Sequence, residues 1–151
     1  MEFSIAPIGY LKTNVKEETD QDWGKVVSDI VIEKNFEKGL LGLEGFSHII
    51  VLFLMHKATF NKDEDLVRRP QERRDMPCLG IFAQRAKHRP NPIGVTSVEL
   101  ISVNKNIIQV RGLDAIDGTP ILDIKPYYPL YDLRTNSKTP VWVEKLMENY
   151  F

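Results

Sequence analysis

The run Ile49 to Met55, "IIVLFLM", is apolar at every position. It is about a third of the roughly 20 residues a membrane helix needs. Apolar on both faces, the stretch Ser47 to His56 reads instead as a central strand buried on both sides. Such a strand needs neighbours, and the chain offers several short ones. "FSIAPIGYL" (Phe3 to Leu11) is β-rich, with Pro7 suited to an edge or bulge, and "VVSDIVIE" (Val26 to Glu33) is short and β-branched. "LGIFA" (Leu79 to Ala83) is predicted as a further short strand. "IGVTSVELISV" and "NIIQVRGL" form a hairpin closed near Asn104-Lys105, and "TPILDIKPYYPL" follows the turn signal Asp117-Gly118. "KGLLGLEGF", with three glycines in seven positions, reads as a turn or a single helical turn. Helix is predicted once, at the C-terminus, with Thr139 as N-cap and Pro140 as first residue. Val143, Leu146, Met147 and Tyr150 would form its apolar stripe. Many short strands and one helix predict a mainly β fold, a compact antiparallel barrel, as one domain over residues 1–151.

Several function classes are excluded by what the chain lacks. It has neither a glycine-rich strand-to-helix fingerprint nor a phosphate-cradling P-loop. One cysteine and three histidines are too few for a zinc site, so no metal is expected. His48 and His56 share strand parity without making a ligand set, and Cys78 has no nucleophilic partner in sequence and reads as a small apolar filler. A formal charge of -1 excludes a generic polyanion binder, leaving only a local patch for nucleic acid. With no signal-like N-terminus or membrane-length run, a soluble cytoplasmic protein is expected.

Two constellations carry chemistry. In "QRAKHRPNPIGV" (Gln84 to Val95), Arg85, Lys87, His88 and Arg89 run into two prolines. Proline disfavours helical geometry in the residue before it, so Arg89 and Asn91 are held extended. A stiffened guanidinium suits a phosphate or carboxylate. The plainer alternative is a connecting loop whose arginines pair with surface acids. In "LDAIDGTPILDIKPY" (Leu113 to Tyr127), Asp123 and Lys125 alternate with Leu122 and Ile124 and so share one sheet face. They are either a plain ion pair or pocket groups that orient a polar ligand. From the residues alone no reaction follows.

Three blocks, "GLEGFSHIIVLFLMH", "GIFAQRAKHRPNPIGVTSVELISV" and "VRGLDAIDGTPILDIKPY", occur in this order. With the flanking "DWGKVVSDIVIE" and "TPVWVEKLMENY" they resemble the TsaA-like (YaeB/TrmO) family over most of the chain. The resemblance implies a homodimeric β-barrel methyltransferase that uses S-adenosylmethionine and modifies the exocyclic nitrogen of threonylcarbamoyladenosine at position 37 of tRNA. It assigns the cofactor to His48 with Ile49, Arg85, Val95 and the turn Asp114-Ala115-Ile116-Asp117. Trp23-Gly24 stands where many members have Pro-Gly, and its indole would stack on adenine or close the pocket. Arg89, Asn91 and Tyr127 fall on the acceptor side, and Asp123, oriented by Lys125, is the candidate base. The additional C-terminal domain of longer members is not expected here. Contacts to tRNA would then rest on Arg89 and on Arg68, Arg69, Arg73 and Arg74 of "RRPQERR", a cluster that reads equally as a solvated loop in a charge-balanced protein. Two other functions fit the same blocks: methyl transfer to a small molecule or another nucleotide, and non-catalytic cofactor binding.

Overall fold

Short strands rich in β-branched residues build the core of the structure, a computed structural model that describes residues 1–151. Six strands close into a barrel: β1 (Gly9–Lys12), β2 (Val27–Ile32), β3 (His48–Leu54), β6 (Ile93–Asn104), β7 (Ile107–Arg111) and β8 (Pro120–Pro126). Their order around the barrel is β1-β2-β7-β6-β3-β8, and every neighbouring pair is antiparallel. A two-stranded ribbon, β4 (Val67–Arg68) and β5 (Leu79–Gly80), stands apart in the long β3–β6 connection. Closure removes sheet edges, and alternate residues point inward to make one core. Ile30, Ile49, Val51, Ile108, Val110, Leu113 and Ile121 in that core are completely buried.

The strand Ile49 to Met55 is present, but only its inward face is buried. Ile49, Val51 and Phe53 are in the core, whereas Ile50, Leu52 and Leu54 are half-exposed on the barrel's outer wall. Opposite Phe53 sits Gly94, where a Cβ would lie 2.3 Å from the phenyl ring. The glycine thus makes room for an inward aromatic in a small barrel.

Two irregularities set the faces of the strands. Leu52 pairs with Asp123 but Phe53 with Ile121, so Leu122 is an extra residue bulged from β8. Ile121 and Ile124 both turn toward the core as a result, and Asp123 and Lys125 both face outward. A second register shift, between Leu100 and Ser102, interrupts β6 against β7.

Other expectations shift by short distances. The first strand begins at Gly9, not Phe3. "LGIFA" is strand only at Leu79–Gly80 and becomes a 3-10 turn at Ile81–Ala83. The hairpin turn is Lys105-Asn106, with Lys105 at φ 53°. "KGLLGLEGF" holds the end of one 3-10 segment, Lys34–Leu40, a turn at Leu41-Gly42 and a second 3-10 segment, Leu43–Gly45. Short helices occupy Lys62–Asp65 (α1) and Pro129–Asp132 (α2), and the C-terminal helix is α3 (Val141–Met147). Pro140 is its N-cap, with no side-chain cap from Thr139. Cys78 is exposed, so it fills nothing in the core.

Candidate functional site

At one end of the barrel the connection 112–119 runs from β7 to β8 across the opening. Leu113, Ala115 and Ile116 are buried there as a plug. Asp114, between them, turns the other way. Its Oδ1 accepts a hydrogen bond from Thr96 Oγ1, and its Oδ2 accepts one from the Tyr150 hydroxyl at 2.5 Å. Asp117 does a different job at the far end of the turn. It accepts from the Thr13 backbone N–H at 3.0 Å and from Lys16 Nζ at 2.5 Å. The Lys16 bond, followed by the Thr13 bond, holds its carboxyl below the ordinary carboxylate range. The turn therefore presents one carboxylate to the site and spends the other on anchoring β1.

Trp23 and Gly24 lie beside Asp114 through the C-terminal tail. The Asp22 and Trp23 N–H groups donate to the Asn149 and Tyr150 carbonyls, each at 2.9 Å. A Cβ on Gly24 would fall 2.8 Å from the Phe151 carbonyl carbon, so this glycine permits the tail to approach. Trp23 is 2% exposed and its Nε1 donates to the Thr19 carbonyl at 2.9 Å. Its indole is committed to packing and is not free to stack on a ligand in this conformation. Burial, then the Asp114 charge and hydrogen bond, push the Tyr150 phenol well above its ordinary pKa, while the Arg85 charge opposes the shift.

The proline-stiffened loop turns its cations onto protein acceptors. Arg85 Nη2 donates to the Val95 carbonyl at 2.5 Å. Lys87 pairs with Glu18, and His88 Nδ1 lies 2.7 Å from the Thr59 carbonyl. Arg89 Nη1 bonds the Gln84 and Ala86 carbonyls at 3.1 and 3.3 Å, bracketing Arg85. Asn91 is exposed and its carbonyl accepts from the Ile93 N–H at 2.7 Å. Of these groups Arg85 is the exposed cation beside the Asp114 cluster, and Arg89 is a brace of its own loop.

The other predicted residues lie on the outer wall of β6, β3 and β8. Val95, Leu52 and Asp123 form one cross-strand row, and Ser97, Ile50 and Lys125 the next. Lys125 Nζ is 2.7 Å from Asp123 Oδ2, both side chains partly exposed, and the pair raises the Lys125 pKa. His48 lies opposite Glu99, four positions from Val95 on β6, or about 13 Å at the usual rise per residue. It contacts Ser47 Oγ at 2.8 Å through Nδ1 and sits edge-on to Tyr127 with ring centroids 6.4 Å apart. Ile49 faces the core. Within one chain, Trp23-Gly24, Arg85, Val95 and Asp114 are brought together, and His48 with Tyr127 is not. His56 lies beyond β3 and is exposed.

The arginine cluster is largely neutralised. Arg68 pairs with Asp65 at 2.8 Å and Glu72 at 2.5 Å, Arg73 pairs with Asp75 at 2.7 Å, and Arg69 donates to the Met76 carbonyl. Arg74 is exposed. Sequence reasoning missed Thr96 and Tyr150. Thr96 carries a usable signal, a hydroxyl at an inward position of an alternating strand. Tyr150 was legible only as a member of an apolar helical stripe, yet α3 ends before it.

Known proteins resemble this chain in sequence and in fold. A "Probable S-adenosyl-L-methionine-binding protein" of Pyrococcus abyssi is 38% identical over 144 residues, 92% of this chain and 75% of the relative. The human "tRNA (adenine(37)-N6)-methyltransferase" is 41% identical over 118 residues, 78% of this chain but only 26% of that protein. A crystal structure of TrmO from Pseudomonas aeruginosa superposes with a TM-score of 0.75 at 32% identity, covering 93% of this chain and 63% of that one. The family model described as tRNA-methyltransferase O N-terminal domain matches residues 18–133, a span holding Trp23, Arg85, Val95 and Asp114, and the chain belongs to that family.

Proposed function

We propose that this chain binds S-adenosylmethionine at the Arg85–Val95–Asp114 cluster and methylates the exocyclic nitrogen of threonylcarbamoyladenosine at position 37 of tRNA. The observation that carries the reading is the convergence of an exposed guanidinium and a doubly hydrogen-bonded carboxylate at one barrel end. The donor set fits the group: Arg85 suits the cofactor's carboxylate, and Asp114 can accept from its ribose hydroxyls or its ammonium. When bound, the cofactor supplies an electrophilic methyl group on sulfur. The chain's own part is positioning, which governs an in-line displacement. The acceptor nitrogen must lose a proton, and Asp123, oriented by Lys125, is the group proposed to take it. Asp123 stands across Leu52 from Val95, two strand spacings or about 10 Å away.

The name of the human relative and the description of the matching family model support tRNA as the acceptor. Homodimerisation is proposed with it, because Ile93 and Val95 are exposed beside half-buried Ile50 and Leu52 on one outer wall. A second reading, an acceptor other than tRNA, is favoured by the local pairing of Arg68 and Arg73. Incubating the purified protein with labelled cofactor and unmethylated tRNA, then resolving nucleosides by mass spectrometry, tests both. A methylated threonylcarbamoyladenosine is the expected product. Cofactor binding without any tRNA product would leave the second reading.

A further inference from the structure

Tyr150 lies outside the matched family segment, 36 residues from Asp114 in sequence, yet its hydroxyl ends on that carboxylate. Three contacts bring it there. The Trp23 N–H holds the Tyr150 carbonyl, the Asp22 N–H holds the Asn149 carbonyl, and the missing side chain of Gly24 lets the Phe151 backbone close in. The ring is half-buried and packs edge-on against Phe151, with centroids 4.9 Å apart.

A carboxylate has about four lone-pair sites. Thr96 and Tyr150 each fill one, on different oxygens, and so fix the rotation of the group while leaving one site per oxygen. Both donors are neutral, so the negative charge of the carboxylate is kept for a ligand. The phenol's upward-shifted pKa keeps its proton in place as a donor. We infer that Tyr150 is a positioning residue of the cofactor site, clamping Asp114 together with Thr96 so that its two free lone pairs face the hydrogen-bond donors of the bound nucleoside. The inference rests on the proposed cofactor reading and adds to it that the C-terminal tail is a wall of the same site.

Calorimetry with S-adenosylhomocysteine on the full chain tests it, comparing wild type with Tyr150→Phe, Thr96→Val and the double variant. Tyr150→Phe should bind roughly twofold to tenfold more weakly, the cost of re-ordering one side chain when the ligand binds. The same titrations with analogues lacking either the ribose hydroxyls or the amino group identify the donor. Against the analogue missing the group that Asp114 receives, the Tyr150→Phe penalty should vanish, which a merely structural tyrosine would not produce. If Tyr150→Phe is less stable to heat, this analogue comparison still decides, because both titrations use the same protein. Equal or tighter binding of S-adenosylhomocysteine by Tyr150→Phe overturns the clamp, the tighter case meaning that the tail competes with the ligand. Absence of binding to wild type overturns the cofactor reading itself.

Discussion

Gly94 faces the Phe53 ring across the β3–β6 ladder, with space between them for no carbon atom: a Cβ would lie 2.3 Å from two ring carbons. The glycine of "RPNPIGV" therefore has a packing reason independent of any ligand. Gly94→Ala should destabilise the barrel by about 1–3 kcal/mol, the usual cost of overpacking. Phe53→Leu should recover part of that loss in the double variant, since residues in contact are not additive. Urea unfolding of the four proteins measures both quantities, and additive effects would show that the clash is relieved elsewhere.

Arg85 and Arg89 separate in the structure by what they hold. Arg85 is exposed with one bond to the Val95 carbonyl, whereas Arg89 spans the carbonyls on either side of Arg85. Arg85→Ala should weaken cofactor binding roughly tenfold to a hundredfold, for a charged hydrogen bond worth about 1.5–3 kcal/mol. Arg89→Ala should weaken it less, through loosening of the loop, and Arg89→Lys should restore part by keeping one donor. Titration of the three variants with S-adenosylhomocysteine gives the ranking. A larger loss for Arg89→Ala than for Arg85→Ala would reverse these roles.

The fold was legible where a pattern is local. Alternating β-branched residues marked β2, β6 and β7, and apolar Ile49 to Met55 marked β3. What could not be read arises from contacts far apart in sequence. No local signal announces that Leu122 bulges, since its neighbours alternate normally, and yet that bulge sets which wall carries Asp123. Docking of Asn149 and Tyr150 onto Asp22 and Trp23 is made by backbone groups, which every residue has. "LGIFA" failed for a related reason: a five-residue apolar run fits a strand or a tight turn equally. The site followed the same division. Arg85, Val95 and Asp114 came from motif resemblance, while the partners that orient Asp114 needed the folded chain.

Acid stability should depend on Asp117. Its folded-state pKa lies below the ordinary value near 3.8 because Lys16 and the Thr13 N–H stabilise the charged form. The native state then binds fewer protons than the unfolded chain as pH falls through that region. The stabilisation is complete above about pH 4 to 5 and is lost progressively as pH drops through the folded pKa. Asp117→Asn should flatten the acid limb of the stability curve without changing its slope above pH 6. Urea midpoints collected from about pH 2 to about pH 8 give the answer, and parallel curves for wild type and variant across the acid limb would rule Asp117 out as the titrating anchor.

A dimer formed on the outer wall should be sensitive at Leu52, which sits between Val95 and Asp123 in the central row. Leu52→Glu places a charge beside Asp123 and on the apolar patch, and it should leave only the 17.4 kDa single chain. The wild type should sediment at twice that mass at micromolar concentration. A wild-type monomer under those conditions would remove the dimer from the proposed function.

The arginines of "RRPQERR" should differ in their salt dependence on tRNA. Removing one cation that neutralises a phosphate reduces the slope of log K against log salt by about one. Arg68 already faces Asp65 and Glu72, with its side chain 16% exposed, so its charge is satisfied within the protein. Arg68→Ala should leave the slope unchanged and instead lower stability, since Asp65 keeps its charge in a site with 14% side-chain exposure. Arg74 is exposed and lies outside these pairs, so Arg74→Ala should flatten the slope by about one unit and leave the melting temperature where it was. Binding of each variant to tRNA at several salt concentrations, with a thermal melt alongside, separates the two effects. If Arg74→Ala and Arg68→Ala both bind tRNA with the wild-type slope, the cluster is a solvated loop and the nucleic acid must be held by the barrel end itself.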